Sequence, residues 1–181
     1  QVHNKYILSQ VATGLVVIDQ HVAHERVLFE EAQKAFAGQA LASQTVLFPQ
    51  AIEFAPDEYT RLVDLIPNLE RLGFRIREFG RNTVVVDGVP SDVVWGRERD
   101  ILRDILDRYH EGQSGADFLD QLAATYACNA AIKAGDPLTL EEMTTLVDRL
   151  FATENPYYCP HGRPIIVHLP IADLDKRFER I

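Results

Sequence analysis

No apolar run in these 181 residues approaches the ~20 residues needed to cross a bilayer, which excludes a membrane-spanning helix. The start at Gln1 has neither a Met nor a leader with an apolar centre. A signal peptide is therefore not expected, and the chain reads as a fragment of something longer. Cysteine is scarce. Cys128 and Cys159 are too few for a disulfide framework and suit a reducing cytoplasm; a single Cys128–Cys159 bridge is the bland alternative. Basic residues are also short, with 18 Lys and Arg against 27 Asp and Glu and a net charge of −9. That balance argues against a simple nucleic-acid binder, because phosphate contacts dominate such affinity. Internal repeats and low-complexity tracts are missing as well. What remains, 46% hydrophobic and 25% charged, is ordinary globular composition with enough chain for one or two cores.

Periodicity supplies the elements. Tyr6 to Ile18 reads as two strands joined at Ala12-Thr13-Gly14. A helix from His21 to Ala37 carries Val22, Leu28, Phe29, Ala32 and Phe36, and Gly38 stops it. Phe48 to Phe54 is a strand, and Pro56 opens a helix that Pro67 should kink or end. Gly73 to Phe79 alternates apolar with charged residues, Gly80-Arg81-Asn82 turns, and Thr83 to Asp87 returns. Helices follow over Glu98–Tyr109, Phe118–Lys133 and Leu140–Phe151, with a buried strand at Ile165–Leu169. Gly112-Gln113-Ser114-Gly115 is the linker candidate. The pattern is α+β, a mixed α/β chain of two subdomains. Residues 1–43 and 115–181 form one, and 44–114 are inserted as a smaller second.

Two stretches carry chemistry. In the first, Asp19 ends a strand and His21 and Glu25, four apart, share a helical face. Imidazole and carboxylates so placed are half a metal site. In the second, Cys159-Pro160-His161-Gly162-Arg163-Pro164 offers a thiol and an imidazole on a stiffened backbone, ligand types that zinc prefers. Cys128 is a further thiol. If Asp19, His21, Glu25, Cys128, Cys159 and His161 converge, six ligands exceed one tetrahedral ion and suffice for two. Phosphodiester hydrolysis benefits from such a pair.

Asp19-Gln20-His21 with Glu25 and Glu30, followed by Cys-Pro-His-Gly-Arg-Pro, resembles the C-terminal domain of the MutL mismatch-repair proteins, in the branch with latent endonuclease activity. The likeness extends from Gln1 nearly to the last residues. It implies a homodimer whose dimerisation subdomain is interrupted by a regulatory one. It also implies manganese-supported DNA nicking with zinc as a further ion, and an ATPase module elsewhere in the full protein, so no ATP in this domain. Asp19, His21 and Glu25 would be catalytic, and Glu30, Arg163 and Arg180 (in Phe178-Glu179-Arg180) supporting. The mismatch-recognition protein would be met through the full-length protein. Gln44-Thr45-Val46-Leu47-Phe48-Pro49 resembles the bacterial sliding-clamp-binding motif, with Gln44, Val46, Leu47, Phe48 and Pro49 as its contacts. Val22 and Asn129 depart from the family, which has Ala after Asp-Gln-His and, in eukaryotic-type members, Arg after the Ala-Cys pair.

Each feature has a plainer reading. Asp19 alone is an N-cap, Cys128 is core, His24 is surface, Lys133 faces solvent, and Leu47 and Phe48 begin a buried strand. The rival functions are a non-catalytic dimerisation and docking module with structural zinc, and an unrelated zinc hydrolase.

Overall fold

The computed structural model describes residues 1–94, 96–109 and 115–180. In chain order the elements are β1 (Tyr6–Val11), β2 (Gly14–Asp19), α1 (Gln20–Phe36), β3 (Ser43–Glu53), α2 (Pro56–Arg71) and β4 (Arg75–Gly80). They continue with β5 (Thr83–Pro90), α3 (Glu98–Arg108), α4 (Ala116–Ala130), α5 (Leu140–Phe151), β6 (Ile166–Pro170) and α6 (Ile171–Arg177). The fold is α+β, with two three-stranded antiparallel sheets. Among the described residues no helix is long and apolar enough to cross a membrane. The linker expected at residues 112–114 lies outside the described residues.

The chain divides into two compact units, Gln1–Val27 with Ile132–Ile181, and Leu28–Ala131. These boundaries differ from the 43/44 and 114/115 expected from sequence, and the inserted unit is the longer one. Leu28, Ala32 and Phe36 of α1 belong to the same core cluster as Leu122, Tyr126 and Ala127 of α4, so the boundary cuts through α1 and α4 falls wholly in the inserted unit.

In the first unit the sheet order is β1-β2-β6. Register pairs Ile7 with Ile18 and Ile18 with Ile166; Ile7 and Ile18 are buried in a core with Val22, Val27, Leu146 and Leu150, against which Ile166 packs. On the opposite face, Leu8, Val17 and Val167 line up, with Leu8 44% and Val167 50% exposed. β6 is therefore an edge strand with an open side, not a buried one, because β2 pairs with it on one flank only. α6 was not anticipated. α5 begins with a capping box in which Thr139 accepts from the Glu142 N–H and the Glu142 carboxylate accepts from the Thr139 N–H. The Thr139 N–H and the Thr139 hydroxyl both donate to that carboxylate and hold the Glu142 carboxyl below its usual range.

Gly14 joins β2 to its neighbours at φ +151°, and a β-carbon there would collide with the Leu169 carbonyl oxygen and the Ile171 nitrogen. Both are backbone atoms and cannot swing away. Gly14→Ala should cost about 3 kcal/mol, combining strain and overpacking. A denaturant midpoint unchanged by that substitution would contradict this packing.

In the second unit the sheet order is β3-β5-β4, backed by α2, α3 and α4. α2 runs through Pro67 without ending. Proline removes one helical hydrogen bond, and the burial of Leu62, Leu65 and Leu69 outweighs it. β3 starts at Ser43, earlier than expected, because it bulges. Thr45 pairs with Gly88 and Gln50 with Val86, so four β3 residues stand opposite one on β5. The surplus loops outward, leaving Leu47 71% and Phe48 82% exposed rather than in a buried strand.

Candidate metal centre

Asp19 caps α1: its Oδ1 accepts from the His21 N–H at 3.0 Å and the Val22 N–H at 3.1 Å. That is the bland role foreseen for it, and it occupies one of two carboxylate oxygens. The next residue, Gln20, is fully buried and donates to the carbonyls of Asn4 at 2.8 Å and Asp136 at 2.9 Å. It thereby fixes the head of the helix against two loops.

Two histidines then meet one backbone residue. His21 Nδ1 lies 2.7 Å from the Ile132 carbonyl oxygen. A carbonyl only accepts, so Nδ1 carries the proton and Nε2 keeps its lone pair. His24 Nδ1 accepts from the Ile132 N–H at 3.1 Å, so its proton sits on Nε2. His24 is buried and not on the surface as the sequence reading had it. Its contact with Ile132 draws that face of α1 inward.

One turn on, Glu25 is buried in the first unit, and Arg26 beside it reaches the loop that carries the thiol. The Arg26 guanidinium donates to the Tyr158 carbonyl from Nε at 2.8 Å and from a terminal nitrogen at 2.6 Å. The loop closes on itself. Cys159 N–H donates to the Arg163 carbonyl and Gly162 N–H to the Cys159 carbonyl, both at 2.9 Å, and Arg163 N–H points at Cys159 Sγ at 3.3 Å. Gly162 has φ +79°, a left-handed conformation that suits glycine in so tight a turn. Its far end is tied by the Asp19 N–H, which donates to the Ile165 carbonyl at 3.0 Å.

These tethers bring three side chains together. His161 Nδ1 lies 3.0 Å from Glu25 Oε1, and one ligand atom each from Glu25, Cys159 and His161 falls within 4.8 Å of the others. This is the one such group of three or more among the described residues. Glu25 and Cys159 are buried, while the His161 side chain is 47% exposed, so the cluster opens to solvent on the histidine side.

The other residues singled out from sequence are placed as follows. Asp19 and His21 stand outside the group of three. Cys128, half-buried on α4, and Glu30, buried on α1, belong to the other unit. Cys128 and Cys159 are both thiols, which removes the disulfide alternative. Asn129 turns back to the Thr125 carbonyl of its own helix. Arg163 and Arg180 are exposed, and the Arg180 guanidinium lies 6.0 Å from the Phe178 ring. In the suspected clamp motif, Gln44 Nε2 donates to the carbonyls of Pro90 at 3.1 Å and Val93 at 2.9 Å. Val46 is core, and Leu47, Phe48 and Pro49 are exposed. Arg26 was missed by sequence reasoning. Its position right after Glu25 was the available signal.

Residues 1–138 match the family described as the MutL C-terminal dimerisation domain. The chain is 50% identical to the DNA mismatch repair protein MutL of Pelodictyon phaeoclathratiforme over 99% of its own length and 29% of the relative's. It is 47% identical to the MutL of Chlorobium luteolum, over 99% of the chain and 29% of that protein. For Chlorobium chlorochromatii MutL the identity is 48%, over 99% and 28%. The chain thus spans less than a third of the length of the curated relatives it matches.

Proposed function

Because the chain belongs to the family of MutL C-terminal dimerisation domains, we propose that it is the dimerising and DNA-nicking part of a bacterial mismatch-repair protein. The observation that carries the reading is the buried Glu25 carboxylate within reach of Cys159 and His161, open to solvent on one side. Burying a carboxylate is costly unless it is paired or holds a cation. Thiol, imidazole and carboxylate are the donors zinc takes, and carboxylates also admit manganese. The set therefore fits a Zn²⁺ or Mn²⁺ site with three protein ligands and a position left over.

A bound divalent ion would supply Lewis acidity and an activated water for phosphodiester hydrolysis. The chain's own residues do the rest. Glu25, Cys159 and His161 would hold one ion. Asp19, through the oxygen not used in capping, and His21, through the Nε2 lone pair set by Ile132, would serve a second. Arg26 holds the Tyr158 carbonyl and with it the cysteine–histidine loop. Arg163 and Arg180 offer positive charge to the phosphodiester backbone, and Glu30 braces the helix. With a net charge of −9, the domain leaves DNA delivery to the rest of a longer protein, including its mismatch-recognition partner. The reaction needs no ATP in this domain and belongs to the cytoplasm, where both thiols stay reduced.

The test is nicking of supercoiled plasmid with Mn²⁺, with and without the cognate sliding clamp. Clamp-stimulated nicking that chelation abolishes is the expected result. Absence of nicking by the full-length protein under the same conditions would favour the second reading, a docking module with a structural zinc. The acidic surface is the observation on that reading's side.

Clamp docking is part of the same proposal. Leu47 and Phe48 project from the β3 bulge as apolar anchors, whereas Gln44 must first release its bonds to Pro90 and Val93. Leu47→Ala with Phe48→Ala should remove clamp pull-down and leave the melting temperature unchanged, since neither side chain is in the core. Retained pull-down would dismiss the motif.

A further inference from the structure

Exposed arginines gather on one edge strand of the Leu28–Ala131 unit. β4 spaces Arg75, Arg77 and Phe79 two apart, and Arg81 follows in the turn to β5. A two-residue repeat places Arg75 and Arg77 on the face opposite the core residue Ile76, and the Phe79 ring lies beside the Arg77 guanidinium. The outward face therefore carries guanidinium groups and an aromatic ring, on a chain whose net charge is −9.

These groups are held in place. Arg75 crosses the central strand and donates to Thr45 Oγ1 on β3 at 2.6 Å. It lies over Gly88, where a β-carbon would strike the guanidinium, so the missing side chain makes the bed for it. Arg77 Nε donates to Asp87 Oδ2 at 2.7 Å, and its Cζ sits 5.8 Å from the Phe79 ring centre. Phe79 falls in a register irregularity between Glu78 and Gly80 and is 65% exposed. Bulges at sheet edges re-aim side chains. The acidic groups nearby are partly committed: Glu78 accepts from the Tyr59 hydroxyl at 2.6 Å and Asp87 from Arg77, while Glu53 pairs with Thr83 and so stands one strand beyond β5 from Gly80.

Charged side chains alone would blunt a sheet edge against aggregation. That task requires neither an ordered guanidinium nor an exposed ring. Planar cations beside an aromatic face on a sheet are what single-stranded nucleic acid asks for, because phosphates meet the arginines and unpaired bases stack on the ring. A duplex hides its base faces. We propose that this face of β4 binds single-stranded nucleic acid, with Arg75 and Arg81 on phosphates and Phe79, backed by Arg77, under an unpaired base.

The test is fluorescence anisotropy of the whole chain with labelled oligothymidine at low salt, in EDTA so that metal chemistry and its failure stay separate. Weak but saturable binding is expected. Phe79→Ala should weaken it about tenfold without changing the melting temperature. Arg75→Gln should lower the slope of log affinity against log salt by about one. Three results would overturn the proposal: no binding by the parent chain, Phe79→Ala binding like the parent, or a duplex or poly-glutamate competing as well as oligothymidine does.

Discussion

Asp19→Asn is expected to reduce Mn²⁺-dependent plasmid nicking by at least ~100-fold, the scale on which losing one electrostatic group costs an active site, while leaving the melting temperature unchanged. The two readouts separate because Asp19 has two tasks. Its Oδ1 caps α1 through the N–H groups of His21 and Val22, and asparagine caps a helix about as well as aspartate. Asparagine keeps the cap oxygen but carries no charge for an ion. A parent-like nicking rate in the variant would reduce Asp19 to its cap. A fall in both rate and melting temperature would mean that the substitution disturbs the fold, and Glu25→Gln would then decide. Glu25 lies inside α1, beyond its first turn, so its loss of nicking would report on the cluster itself.

Leu8→Glu combined with Val167→Glu should turn the dimer into a monomer. We place the dimer contact on the outward face of the β1-β2-β6 sheet, where Leu8, Val17 and Val167 form an apolar row and Tyr6 is exposed beside it. The opposite face of the same sheet is committed to the core through Ile7 and Ile18. In a two-fold interface each substitution enters twice, so two per chain bring four carboxylates into one contact. A buried, unpaired carboxylate is far more costly than a surface one. Weakening of at least about a thousandfold is expected, equivalent to about 4 kcal/mol. Sedimentation velocity reads the result directly. A dimer persisting at the parent's dissociation constant would move the interface elsewhere.

Local rules in the sequence anticipated much of this fold. The β1–β2 hairpin, the start of α1 after Asp19, and α5 over Leu140–Phe151 depend on residues a few positions apart. What escaped depends on packing across distance. Nothing local shows that four β3 residues stand opposite one on β5, so the start of β3 went unseen, and for Leu47 and Phe48 the exposed clamp contact and the buried strand stood side by side. Pro67 is a strong local signal, overruled by three buried leucines. Ile165–Leu169 is apolar enough for a central strand, and only the sheet order makes β6 an edge. The unit boundaries moved because α1 and α4 supply residues to a core that periodicity cannot assign.

The candidate site divides in the same way. Residue type and spacing singled out Glu25, Cys159 and His161, but their meeting depends on tethers that no motif displays. Those tethers are Arg26 to the Tyr158 carbonyl, Asp19 N–H to the Ile165 carbonyl, and the two histidines on Ile132. His24 was read as surface because it is off the His21 face; a backbone N–H from another segment satisfies it, which allows it to be buried.

Of all these measurements, the position of the metal is the most direct. Crystals of the chain grown with zinc, with anomalous scattering recorded on either side of the zinc absorption edge, would locate each ion without reference to activity. A peak within bonding reach of Glu25, Cys159 and His161 is the expected result. Zinc found only at other residues, or no zinc signal from a well-ordered cluster, would contradict the metal centre and with it the proposed nicking chemistry.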